Sequence, residues 1–93
     1  MSRGISIEYT VQIWQEGNQF IAHAMPIDVM SSGPTLEEAR KALDEAVRVF
    51  LLTLEDMGTT EEILQECGYE MIQGIWKGPH WVSIERHSAV VGV

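Results

Sequence analysis

One segment constrains the fold more than any other, because it carries the full set of signals for a long amphipathic helix. Thr35 is a capping residue, and Glu38 follows it at the spacing of a capping box. Gly58 is a typical helix-ending glycine. These limits predict about 22 residues of helix, roughly 33 Å at 1.5 Å per residue, long enough to cross a small sheet. Apolar residues recur along one face at three- and four-residue spacing: Leu36, Ala39, Leu43, Ala46, Val47, Phe50, Leu54 and Met57.

The second half of this predicted helix is apolar nearly all round. Val49, Leu51 and Leu52 fall outside the main stripe, as does Ala42. A helix of this kind is buried on more than one side. Either a second copy of the chain or the folded-back C-terminal segment could supply the second cover. The first alternative predicts at least a dimer, with Val49, Leu51 and Leu52 at the interface.

Alternating residues before the helix predict strands. Ile5, Ile7, Tyr9, Val11 and Ile13 alternate with polar residues, which is typical of a half-buried strand. A turn over residues 15–18 precedes a second alternating run, 20–24, which ends or bends at Pro26. Ile27 and Val29 suggest a short third strand before a loop at 31–34. The prediction is an α+β fold in which an antiparallel sheet of three to four strands carries the long helix across one face.

The remaining sequence predicts smaller elements within the same single domain, 1–93. Thr59 and Glu62 have capping-box spacing and start a short second helix that Gly68 closes. Residues around Tyr69, Met71 and Trp76 could pack beside it. The segment 81–86 has the pattern of a strand, and residues 89–93 are either another short strand or a loose end.

The charge balance indicates a protein partner rather than nucleic acid. The formal net charge is −8, and the six Lys and Arg residues are scattered, so direct DNA binding is not expected without an added module. Residues 35–67 carry nine acids and three bases. An acidic chain is suited to a basic partner, because opposite charges speed encounter. The candidate partner-binding residues are Asp44 and Glu45 on the helix, with Trp76 and Trp81 as apolar anchors.

Catalysis, metal binding and cofactor binding are not expected. The candidate ligands His23, His80, His87, Cys67 and Asp28 follow no recognised ligand spacing. Glu8 and Asp28 could lie on one exposed sheet face, which leaves a minor metal-dependent nuclease as an alternative. A lone cysteine, no signal core and no apolar stretch of membrane-spanning length together favour a cytoplasmic protein.

The order of these elements resembles the N-terminal domain of the HicB antitoxin family. The resemblance covers about residues 7–69 and is most specific over 33–39, where Gly33, Thr35, Glu38 and Ala39 match the family's helix start. It implies a partial RNase H-like β-β-β-α-(α)-β arrangement without nuclease chemistry. It also implies an antitoxin of a type II toxin–antitoxin system, which neutralises a small basic HicA-type toxin that cleaves mRNA. The DNA-binding tail of many members is not evident after Gly68, and a solitary HicB-like binding domain is the alternative.

Overall fold

A long helix lies against one face of a three-stranded antiparallel sheet, and a short helix and a small two-stranded sheet follow. The computed structural model describes residues 4–92. The elements are β1 (Thr10–Glu16), β2 (Gln19–Met25), β3 (Val29–Gly33), α1 (Leu36–Met57), α2 (Thr60–Glu66), β4 (Glu70–Ile72) and β5 (Ile75–Lys77). The predicted α+β class, with the long helix across one sheet face, is confirmed.

The sheet is a meander in the order β1-β2-β3. A two-residue turn joins β1 to β2, so that Glu16 pairs with Gln19 and Gly17 has a φ of 59°. The predicted start of the first strand is wrong, because β1 begins at Thr10 and not at Ile5. The apolar residues before it pack against the core, and Ile7 forms an isolated parallel bridge with Trp76.

The third strand runs further than the sequence predicts. The segment 31–33 was expected to be a loop, yet it completes β3 by pairing with residues 20–22 of β2. Gly33 then brings β3 directly against α1. A Cβ atom at Gly33 would lie 2.8 Å from the backbone nitrogen of Ala39, so no other residue fits there without a shift.

Helix α1 has the predicted limits. The Thr35 hydroxyl accepts a hydrogen bond from the backbone nitrogen of Glu38 at 3.1 Å, and Gly58 ends the helix with a φ of 69°. One side of α1 faces Ala22 and Ala24 of β2, both fully buried. The core cluster consists of Ala22, Ala24, Ile27, Ala39, Leu43, Val47, Leu51, Leu54, Leu64, Tyr69 and Trp76.

The second helix is confirmed, but its predicted cap is wrong. The Thr59 side chain makes no capping hydrogen bond, and among the described residues its buried hydroxyl oxygen has no partner. After α2, the chain forms a hairpin, β4–β5, around Gln73 and Gly74, which have φ values of 50° and 82°. The buried Tyr69 phenol donates a hydrogen bond to the carbonyl oxygen of Glu8 at 2.8 Å, which ties this hairpin to the start of the chain.

The C-terminal tail leaves the domain. From Pro79 to Gly92 every residue is exposed, and the strand predicted at 81–86 pairs with no other part of residues 4–92. Residues 89–92 form no strand either, and Val93 lies outside the described residues. The longest dimension of the molecule is 60 Å, against 29 and 21 Å for the other two.

Candidate protein-binding surfaces

The exposed side of α1 carries an apolar pair between two acids. Glu45, Val49, Leu52 and Asp56 follow one another at spacings of four, three and four residues, which places them along one line on the helix. We call these four residues the helix stripe. Val49 is 59% exposed and Leu52 is 56% exposed. Two large apolar side chains therefore face solvent with a carboxylate at each end of the line.

Leu51 does not belong to this surface. It is only 9% exposed and packs in the core with Val47 and Leu54. The sequence interpretation grouped Leu51 with Val49 and Leu52 as one interface. The structure corrects this grouping, because Leu51 is one position from Leu52 and two from Val49, and a step of one or two positions moves a side chain to another side of a helix.

Acidic side chains accumulate beyond the helix stripe. Between residues 49 and 76 the chain contains six acids and neither Lys nor Arg. All six are exposed, and we call them the acidic segment: Glu55, Asp56, Glu61, Glu62, Glu66 and Glu70. Glu55 and Asp56 stand in the last turn of α1, which holds no basic residue. Their charges add to the negative end of the helix dipole, so this region favours cations.

Asp44, a predicted partner contact, is engaged within the chain. The Tyr9 phenol donates a hydrogen bond to the carboxylate oxygen Oδ1 of Asp44 at 2.6 Å. This bond links the segment just before β1 to α1. Desolvation by burial, followed by this bond and the charge of Asp44, raises the pKa of Tyr9 to about 12. Glu45, the other predicted contact on α1, lies on the helix stripe.

A small cavity opens beside the outer edge of β1. Val11, Arg40, Leu43 and Asp44 line it, and its volume is about 140 Å³. A void of about 150 Å³ accepts a benzene ring, so this cavity is large enough for one apolar side chain and too small for a substrate or cofactor of ordinary size.

The face of the sheet opposite α1 is a second apolar surface. Trp14, Ile21, His23, Met25 and Met30 share this open sheet face, by the register of the three strands. His23 Nε2 lies 2.5 Å from Asp28 Oδ1, and its ring meets Trp14 edge-on at 6.3 Å. By the register, His23 points away from the buried alanines, and the sequence interpretation missed the apolar character of this open face. The sequence did contain a signal for this apolar face. Trp14 in β1 and Ile21 in β2 occupy the positions that alternate with the core residues.

The two predicted tryptophan anchors lie in different environments. Trp76 is 6% exposed and belongs to the core, so it offers almost no surface to a partner. Trp81 lies on the C-terminal tail and is 43% exposed. The prediction of Trp76 as a contact residue is wrong, because Trp76 pairs with Ile7 and Met71 and lies in the core.

The remaining candidate ligands do not converge. Within residues 4–92, no three His, Cys, Asp or Glu side chains form a group that could hold a metal ion. His80 is exposed and lies on the tail. Glu8 and Asp28 are exposed in other parts of the fold, and Cys67 is half-buried. Burial, followed by the charges of Glu66 and Asp28, raises the pKa of the Cys67 thiol. A thiol of this kind forms little of the reactive thiolate.

On the tail, three polar side chains contact one another at two-residue spacing. Ser83 donates to a carboxylate oxygen of Glu85, and His87 Nε2 lies 2.7 Å from the other oxygen. Both hydrogen bonds lower the pKa of Glu85, and the bond from Ser83 has the larger effect. Contacts at two-residue spacing are typical of an extended backbone, and this part of the tail belongs to no helix or strand.

Comparison with known proteins identifies no relative. No family model, no curated protein and no solved structure matches the chain. Among the described residues, no helix is long and apolar enough to cross a membrane.

Proposed function

We propose that this chain acts by binding a small basic protein through the helix stripe and the neighbouring acidic segment. The resemblance to HicB antitoxins gives the partner a definite form, a HicA-type toxin that cleaves mRNA and that this chain would neutralise. The observation that supports the proposal is the combination on α1 of an exposed apolar pair, Val49 and Leu52, with acids and no base in the last turn.

The two components of this surface have separate roles in binding. Carboxylates at the rim attract a cationic partner and raise the association rate, an effect that salt weakens. Apolar side chains at the centre lose water on contact and set the dissociation rate. A toxin with a basic RNA-binding surface would be attracted by the carboxylates and could bury the apolar pair. Once this chain covered that surface, RNA could no longer bind to it.

The first experiment is co-expression with every short basic protein that proves to be encoded next to this chain. We expect a complex that co-purifies and a loss of RNA cleavage by the partner. If no neighbouring basic protein binds and none is detoxified, the antitoxin proposal is wrong.

The second experiment separates charge from apolar contact by surface plasmon resonance. Exchanging Glu45 and Asp56 for Lys should lower the association rate about tenfold at 0.1 M salt, and the difference should shrink at 1 M, where the Debye length falls to about 3 Å. Exchanging Glu8 and Glu16 for Lys makes the same change in net charge on the sheet and should have a smaller effect. Equal effects of the two pairs would contradict a specific role for α1.

The apolar pair Val49 and Leu52 is tested with one variant and one matched control. Leu52→Ala should speed dissociation about tenfold, as expected for a central contact. Met30→Ala is the control, because Met30 is 52% exposed but lies on the open sheet face. If Met30→Ala weakens the complex and Leu52→Ala does not, the partner binds the sheet and not the helix.

A further inference from the structure

The C-terminal tail, residues 79–92, is exposed and pairs with no other part of residues 4–92. Its apolar side chains face solvent almost completely, with Val82 91% and Val90 97% exposed. The polar contacts between Ser83, Glu85 and His87 keep the intervening backbone extended. The radius of gyration is 15.9 Å, whereas a compact chain of this length has about 12 Å. An isolated extended segment of this kind is not stable in water, because its backbone groups and apolar side chains have no partner.

The outer edge of β1 is the complementary feature. Across residues 4–92, no strand pairs with this edge, since β1 is the end strand of its sheet. The two-residue turn makes Glu16 and Gln19 a hydrogen-bonded pair, and bonding to β2 then alternates along β1. Val11, Ile13 and Gln15 therefore direct their backbone N–H and C=O groups outward.

The residues just before β1 pair with β5 on the side of the chain that faces β2, not on the outer side. Trp76 of β5 donates to the carbonyl oxygen of Ser6 at 2.8 Å, and the backbone nitrogen of Glu8 donates to the carbonyl oxygen of Trp76 at 3.0 Å. Ser6 and Glu8 alternate in phase with Gln12 and Trp14, which bond to β2, so β5 leaves the outer edge of β1 free. Beyond β5, Gly78 packs against Tyr69 and against Pro26 at the end of β2, and Pro79 follows.

We propose that two copies of this chain exchange their C-terminal tails, each tail adding as a strand, residues 80–86, to the outer edge of β1 in the other copy. Each chain contains one unpaired tail and one unpaired edge. Two copies therefore form two identical tail-to-edge pairings, and neither copy keeps an unpaired tail or edge. The lengths match, since β1 has seven residues and so has the segment 80–86. Pro79 stands at the hinge, where a stiff connection that points the tail away from its own domain favours exchange over closure.

The surroundings of the β1 edge suit an apolar strand on both faces. On the α1 side, the edge borders the cavity lined by Val11 and Leu43. On the opposite side, it borders Trp14 of the open sheet face. The tail carries apolar side chains on both of its sides, Trp81 on one and Val82 and Ile84 on the other. This exchange is independent of the proposed function and leaves the helix stripe uncovered.

Sedimentation at micromolar concentration tests the exchange in the full chain. We expect a mass near twice the 10.5 kDa of one chain. Replacing both Val82 and Ser83 by proline removes one backbone donor from each side of the tail, so it should return the mass to that of one chain. Replacing Val90 and Val91 by proline is the control, because it makes the same change beyond the proposed strand. A wild-type monomer, or equal effects of the two variants, would overturn the proposal.

Amide hydrogen exchange identifies the edge that is used. In the dimer, the amides of Val11, Ile13 and Gln15 should be protected, and the double-proline variant at 82 and 83 should lose this protection at least tenfold. The amides of Gln12 and Trp14, which bond to β2, serve as internal controls. Protection without a doubled mass would mean that the tail closes on its own chain, and a doubled mass without protection would mean an interface elsewhere. Either result contradicts the exchange.

Discussion

Two phenols, the half-buried Tyr9 and the buried Tyr69, connect the segment before β1 to α1 and to the β4–β5 hairpin. Tyr9 binds Asp44 of α1, and Tyr69 binds the carbonyl oxygen of Glu8, so the segment before β1 is held to the helix at one point and to the hairpin at another. Burial is the largest cause that raises the pKa of both tyrosines to about 12. Both bonds need the phenol in its neutral form, because the ionised oxygen has no proton to donate.

The stability of the fold should therefore decline at high pH. A tyrosine in the unfolded chain has a pKa of about 10. Because the folded values are higher, the stabilising contribution is complete below pH 10 and is lost as the pH rises through 12. In urea denaturation between pH 8 and pH 12, the wild type should lose stability more steeply than Tyr69→Phe. At pH 8, the same variant should be less stable by about 1 kcal/mol, because the hydrogen bond to Glu8 is gone. Parallel pH profiles would show that the Tyr69 phenol is not responsible.

At the level of elements, the two helices begin at threonines that the sequence cannot tell apart. Thr35 and Thr59 both precede a glutamate at capping-box spacing. In the structure, Thr35 has the extended backbone that a cap requires, whereas Thr59 has a ψ of 10° and its hydroxyl makes no capping bond. The backbone nitrogen of Thr59 donates to the carbonyl oxygen of Leu54 at 3.0 Å, so Thr59 belongs to the end of α1 and lacks the extended approach of a cap.

Substitution at the two threonines should have opposite outcomes. Thr35→Ala removes a working cap and should destabilise the fold by about 1 kcal/mol in urea denaturation. Thr59→Val replaces a buried hydroxyl that has no partner among residues 4–92, and should be neutral or stabilising. If Thr59→Val destabilises as much as Thr35→Ala, the Thr59 hydroxyl makes an interaction that this conformation does not contain.

Local signals predicted α1 and the β1–β2 hairpin, and contacts distant in sequence decided the rest. Glu38, Gly58 and Gly17 each act within a few residues, so their patterns can be interpreted without the fold. The start of β1 could not be placed, because Ile5 and Ile7 alternate like strand residues but pack beside Trp76, seventy residues away. The β4–β5 hairpin did have a local signal, a two-residue turn at Gln73-Gly74 between apolar pairs. Of the candidate site, the sequence predicted acids and Leu52 on α1, while the burial of Leu51 and Trp76 depended on packing.

At the scale of the whole molecule, unbalanced negative charge opposes the compact state. The net charge is −8, and the acidic segment contains no base to offset its repulsion. Only one Lys or Arg side chain within residues 4–92 pairs with a carboxylate, Arg40 with Glu37 at 2.8 Å. Asp44 and Arg48, which the sequence pairs at i,i+4 spacing, do not form an ion pair.

Salt should therefore stabilise the fold. Raising the ionic strength from about 0.01 M to about 0.15 M shortens the Debye length from about 30 Å to about 8 Å, and should increase the unfolding free energy by on the order of 1 kcal/mol. Replacing Glu55 by Gln and Asp56 by Asn should raise stability at low salt and reduce the salt effect, because both charges oppose the helix dipole. Replacing Glu8 and Glu16 by Gln is the control for net charge. Stability that falls with salt would mean that attractive pairs dominate.

The three tryptophans differ in their exposure to solvent, so their fluorescence reports on three different regions of the chain. Trp76 is 6% exposed, Trp14 is half-buried beside His23, and Trp81 on the tail is 43% exposed. Acrylamide, a neutral quencher, reaches Trp81 first and Trp76 last, so its quenching curve bends. Iodide carries the same sign of charge as the protein, so we expect it to quench less than acrylamide does. The emission of this chain thus distinguishes events at the tail, at the open sheet face and in the core without any added label.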